Sequence, residues 1–148
     1  MSRKLRIASG LAAAVLPLSI ATAADAHSLD GTLPYGQTNC GASKKLIPNG
    51  RVWTRGGTIS VYWSNCGTNW VEWSGPSTYV FKEIHTATVW PEGEGDYGPW
   101  SYSKQVYAPG TTAVGGQVTI NWGSTAYEYT EWLFSCASSC TWELVTAS

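Results

Sequence analysis

Short runs in which apolar and polar residues alternate, separated by Gly, Pro, Asn and Ser, govern this chain from Cys40 onward. Along Thr58–Trp63, Ile59, Val61 and Trp63 fall on one side and Thr58, Ser60 and Tyr62 on the other, the period of two of a strand with one buried face. Arg51–Arg55 precedes this run across Gly56-Gly57, a pair suited to a two-residue hairpin turn with positive φ. Further strands are expected at Asn69–Trp73, Tyr79–Trp90, Gln117–Trp122, Tyr127–Phe134 and Thr141–Val145. No stretch repeats its apolar residues at helical spacing. The pattern predicts an all-β domain, a small sandwich or barrel.

The strand pattern carries an internal echo. Gly56-Gly57-x-Ile59-Ser60-Val61-x-Trp63 aligns with Gly115-Gly116-x-Val118-Thr119-Ile120-x-Trp122. At the same offset, without gaps, Trp70-x-Glu72-Trp73 aligns with Tyr129-x-Glu131-Trp132. Two related β-meanders would produce this. So would the alternation that every amphipathic strand shares.

The first 26 residues are read as a secretion signal. Arg3, Lys4 and Arg6 precede an apolar run from Ile7 to about Ile20, and Ala24-Asp25-Ala26 offers a small-x-small cleavage site before His27. The run is shorter than the roughly 20 residues a membrane span needs, and Pro17 and Ser19 interrupt it. Residues 27–39 are then expected as an extended N-terminal arm, and residues 40–148 as a single β domain. All nine Trp, eight Tyr and two Phe lie beyond the signal, and the chain is only 13% charged, which excludes intrinsic disorder. A net charge of −1 without a basic run argues against nucleic acid as a partner.

Four cysteines in an exported chain predict two disulfides, and three pairings are open. Cys136 and Cys140 have a spacing suited to a tight local loop; Cys40 with Cys66 would then close a larger one. Four thiolates binding zinc is the rival, but zinc sites usually present two close pairs, and only one is present.

Asp30-Gly31-x-x-Pro34, Cys40, and Tyr62-Trp63-Ser64-x-Cys66-Gly67-Thr68-Asn69-Trp70 resemble the YjfA-like family of small secreted bacterial proteins, over roughly Asp30–Trp73. The resemblance implies a secreted β domain with a Cys40–Cys66 bond, and no assigned chemistry. The acidic Gly-rich segment and the Cys136–Cys140 loop have no counterpart in it.

Binding rests on the aromatic side chains. Several strands carry rings on both faces, and one core layer cannot bury them all, so some are expected to form an exposed patch. Trp70, Trp73, Trp90, Tyr97, Trp100 and Trp132 are the candidates. Pro91–Trp100 is expected as a loop in which Glu92, Glu94 and Asp96 offer oxygen ligands for calcium. His27 at a new N-terminus, with His85, is a candidate copper brace. Glu72 and Glu131 are candidates for a glycosidase acid–base pair, though on amphipathic strands both are expected to face solvent. No nucleophile elbow is present.

The sequence therefore suggests a secreted, non-enzymatic binding module without a cofactor. Its first expected role is as a subunit or adaptor docking another extracellular protein through an aromatic groove or the arm at His27–Thr38. A lectin-like polysaccharide binder using exposed Trp is the alternative, and a small copper-dependent polysaccharide oxidase using His27 and His85 is another.

Overall fold

A computed structural model describes residues 27–123 and 128–147. The expected signal, residues 1–26, and the first residue of the strand expected at Tyr127 lie outside them. The described chain is all-β apart from a 3-10 turn at Cys40–Ser43. Its strands are β1 (Lys45–Thr54), β2 (Gly57–Trp63), β3 (Thr68–His85), β4 (Glu94–Tyr102), β5 (Val106–Tyr107), β6 (Val114–Asn121), β7 (Tyr129–Cys136) and β8 (Cys140–Ala147). The hydrogen-bonded path runs β1-β2-β3-β6-β7-β8, with β4 and β5 also paired to β3, and every pair is antiparallel.

The sheet curls into a nearly closed barrel. No ladder joins β1 to β8. Side chains bridge them instead: Trp142 Nε1 donates to the Asn49 carbonyl at 2.8 Å, and Asn49 Nδ2 donates to Ser139 Oγ at 2.9 Å. Ile59, Val61, Val71, Trp73, Val80, Ile84, Val118, Ile120 and Phe134 fill the interior. Both disulfides, Cys40–Cys66 and Cys136–Cys140, are formed.

β3 is the spine. Its first part pairs with β2 and its second with β6, while β4 and β5 flank it. The expected strands at Asn69–Trp73 and Tyr79–Trp90 are thus one strand, ending at His85. Inward positions change from odd (Val71, Trp73) to even (Val80, Lys82, Ile84) across the register shift between Ser74 and Thr78. Pro76 sits in that irregular stretch and Pro48 in the one between Leu46 and Arg51, places where no ladder N–H is required. Lys82 is consequently a fully buried lysine, with Nζ 2.9 Å from both Val80 O and Ser101 Oγ.

The echo in the sequence is an echo in pairing. Ile59↔Trp73, Ser60↔Glu72, Val61↔Val71 and Tyr62↔Trp70 in β2–β3 correspond to Val118↔Trp132, Thr119↔Glu131, Ile120↔Thr130 and Asn121↔Tyr129 in β6–β7. Both hairpins keep a buried glycine against a ring: a Cβ at Gly57 would overlap Trp73, and one at Gly116 would overlap Phe134. This corrects the expected Gly56-Gly57 turn. Arg55 and Gly56 make it, both with positive φ, while Gly57 belongs to β2, paired with Thr54.

Two expected loops are also corrected. Residues 94–102 form strand β4, because β3 offers them an edge and Gly93 and Gly95 let Phe81 and Tyr79 lie across the backbone. Residues 27–39 are a series of turns docked on the sheet, not an extended arm. Gly31 N–H bonds to Gln105 O, Gln105 N–H returns to Thr32 O, and the Gln105 amide donates to Thr32 Oγ1 and Leu33 O. Backbone donors and acceptors that an isolated arm would leave to water are satisfied here by the β4–β5 connection.

Candidate functional site

Register builds a groove on the outer face of β1–β4. Trp53 pairs with Thr58, Thr58 with Ser74, and Ser74 with Trp100, so these four side chains form one row across four strands. The next row is Arg51, Ser60, Glu72 and Tyr102. Three strand spacings separate the ends of a row, about 14 Å. The first row therefore has an indole at each end and two small hydroxyl side chains between. Trp53 is 74% exposed and Trp100 47%. The resulting groove, about 450 Å³, is also lined by Lys44, Tyr62, Gly56, Gly57 and Gly75.

Glu72 anchors this surface. Its carboxylate is buried and accepts from the Trp70 indole at 2.9 Å, the Trp100 indole at 3.0 Å and the Tyr35 hydroxyl. Lys44 Nζ lies 3.2 Å from the same group and 4.5 Å from the centre of the Tyr62 ring. The expectation that Glu72 faces solvent is corrected: residues 35–44 cover it, with Tyr35 and Lys44 donating from that segment and Trp70 and Trp100 from β3 and β4. Burial, then the hydrogen bond to Glu72, pushes the Tyr35 hydroxyl well above its ordinary pKa. A carboxylate holding this many donors orients its neighbours, and has little capacity left to deliver a proton to a substrate.

Arg51 differs from Lys44. Its Nε donates to Ser60 Oγ at 2.8 Å and its Nη2 to Tyr62 Oη at 3.0 Å, and among the described residues no carboxylate pairs with it.

The aromatic candidates separate by environment. Trp70 and Trp73 have no exposed surface and serve packing, Trp70 beneath the docked segment and Trp73 in the core. Trp132 packs against the core, edge-on to Trp142. Trp90, 64% exposed, stacks on His85 at 3.5 Å between ring centres, and Tyr97, 80% exposed, leans on Tyr79. Only Trp100 of the six lines the groove. Trp53, Lys44 and Arg51 are not candidates in the sequence, where a turn at Gly56-Gly57 sets Trp53 opposite Ser60; the turn at Arg55-Gly56 sets it opposite Thr58 instead.

The metal candidates do not converge. Glu92 and Glu94 share Lys104 at 3.6 and 3.5 Å, and Asp96 pairs with Lys82 at 3.5 Å, so each carboxylate already has a lysine partner in place of a common ion. His27 stacks on Tyr107 and its Nδ1 accepts the Leu29 N–H, whereas His85 stacks on Trp90. No group of three potential metal ligands occurs among the described residues. Glu131 pairs with Thr119 and Thr146 in the second hairpin, on strands that take no part in the groove.

A second cavity, about 340 Å³, lies between β1 and the Cys136–Cys140 loop. Asn69 lines it, and the buried Oδ1 of Asn69 has no hydrogen-bond partner. No helix among the described residues is long and apolar enough to cross a membrane. No family model matches the chain, and no curated protein or solved structure matches it.

Proposed function

We propose that this protein is an exported binding module, not an enzyme, and that its ligand is a polysaccharide laid across the outer face of β1–β4. The row Trp53–Thr58–Ser74–Trp100 carries the proposal. Indole faces stack on the apolar faces of sugar rings, and small hydroxyl side chains between them leave room for a chain to pass. The span suits an oligosaccharide segment better than a single sugar. Glu72 holds the Trp100 ring edge in place, so little ordering is left to be done on binding. Two disulfides and the leader-like first 26 residues support an extracellular setting.

The docked turns of residues 27–39 favour this over a protein adaptor working by strand addition, since Gly31 N–H and Thr32 O of that segment are bonded to Gln105 and its Asp30 and Thr32 N–H groups close its own turns. Affinity electrophoresis of the purified protein in gels containing single soluble polysaccharides tests the proposal. Retardation by at least one polymer, lost in Trp53→Ala, is expected. Retardation unchanged in Trp53→Ala would remove the groove from the account.

A further inference from the structure

We infer that the polysaccharide is acidic, a polymer of uronic acids, and that Arg51 receives the sugar carboxylate; this rests on the polysaccharide reading of the groove. The inference comes from what the groove has left to offer. Neutral sugars present hydroxyls that need acceptors as much as donors. The one carboxylate of the groove, Glu72, is already engaged by Tyr35, Trp70, Trp100 and Lys44. That same bond balances the charge of Lys44. Arg51 remains as a cation without a carboxylate partner among the described residues, two positions from Trp53 and on the same face of β1.

The guanidinium is also held in a particular way. Of its five N–H groups, Ser60 takes the one on Nε and Tyr62 takes one on Nη2. Both grips come from β2, the strand beside Arg51. Three N–H groups remain, two on Nη1 and one on Nη2, enough for a fork that meets a planar carboxylate with two parallel hydrogen bonds. Ser60 is itself buried, so its hydroxyl gives a fixed anchor to an exposed arginine that lines the groove. A sugar ring stacked on Trp53 would bring a carboxylate attached to that ring beside Arg51. This arrangement is selective for a carboxylate on the sugar, beyond general attraction for negative charge.

Titration with polygalacturonate, its fully methyl-esterified form, dextran sulfate and neutral dextran tests the inference. The ester keeps the backbone and removes the charge. Polygalacturonate is expected to bind at least about tenfold more tightly than its ester, the scale of one charge-assisted hydrogen-bond pair. Arg51→Gln should lose that difference, and Arg51→Lys, which keeps a charge without the fork, should recover only part of it. Equal affinity for acid and ester would overturn acid selectivity and leave the polysaccharide reading standing. Dextran sulfate binding as tightly as polygalacturonate would overturn the carboxylate assignment. Absence of binding to all four polymers would count against both. The acid-versus-ester comparison uses the unaltered protein, so it decides acid selectivity even if an Arg51 variant folds poorly.

Discussion

Trp142 on the last strand donates its indole N–H to the backbone carbonyl of Asn49 on the first, 2.8 Å away, where no ladder joins the two. Barrels avoid exposed edges by closure, and here one side chain does part of what a row of backbone bonds does elsewhere. Trp142→Phe keeps most of the ring packing against Trp132 and Phe134 and removes the donor. A loss of about 1 kcal/mol is expected in chemical denaturation. Amide exchange should also speed up selectively in β1 and β8; uniform acceleration throughout would show that the bond is not a local clasp.

Glu72→Gln replaces an acceptor-only group with one that brings two donors of its own into a ring of donors. Removing one side of a buried charged network is expensive, and a destabilisation of about 3 kcal/mol is expected. Tyr35→Phe deletes a single donor and should cost about 1 to 2 kcal/mol. If both variants unfold at the wild-type denaturant midpoint, the cluster does not hold residues 35–44 to the sheet.

Alkaline titration separates the buried Lys82 from the half-buried Tyr35, whose pKa values are shifted in opposite directions. Burial holds Lys82 below its ordinary value, so in the window between its folded and unfolded pKa the unfolded chain binds more protons. Its contribution to stability therefore improves as pH rises through that window. Tyr35 is raised by burial and by Glu72, so above about pH 10 the unfolded chain ionises first and stability falls. Relative to wild type, Lys82→Met should show its largest advantage at neutral pH and lose it in alkali. Tyr35→Phe should show its largest disadvantage at neutral pH and regain ground above about pH 10. Parallel pH curves for wild type and both variants would contradict these assignments.

The two disulfides are expected to differ in worth. By loop closure alone, Cys40–Cys66, with a sequence separation of 26, should contribute about 3.5 kcal/mol, and Cys136–Cys140, with a separation of 4, about 2 kcal/mol. The first also ties the segment bearing Tyr35 to the sheet. Paired Cys→Ala variants of each, compared by thermal unfolding, should show the larger drop for Cys40/Cys66 and a loss of polysaccharide binding there alone.

Much of the fold was legible in the residues. Alternation located most of the strands, and the matching Gly-Gly-x-apolar runs offered related meanders as one of two readings, the one in line with the shared register of β2–β3 and β6–β7. β4 was hidden because Glu-Gly-Asp-Tyr-Gly-Pro has the composition of a loop; it becomes a strand only through the edge that β3 supplies. The groove was hidden for a related reason. Trp53 lies in a run too short to judge by its faces, and its distance from Trp100 is defined by pairing across four strands. Glu72 looked like a solvent-facing strand residue because the cover over it comes from residues 35–44, remote in sequence and bound by contacts that no local pattern announces.

The shared register of β2–β3 and β6–β7 gives the molecule a built-in reference copy. Gly57 and Gly116 hold equivalent places, Gly57 beneath the Trp73 ring and Gly116 against the Glu83 carbonyl and the Phe134 ring, but only Gly57 borders the groove. Ser74, between the two indoles, has Leu133 as its counterpart, and the buried Glu72 has the half-buried Glu131. A substitution made in parallel at both members of such a pair separates the needs of the scaffold from those of the ligand within one chain.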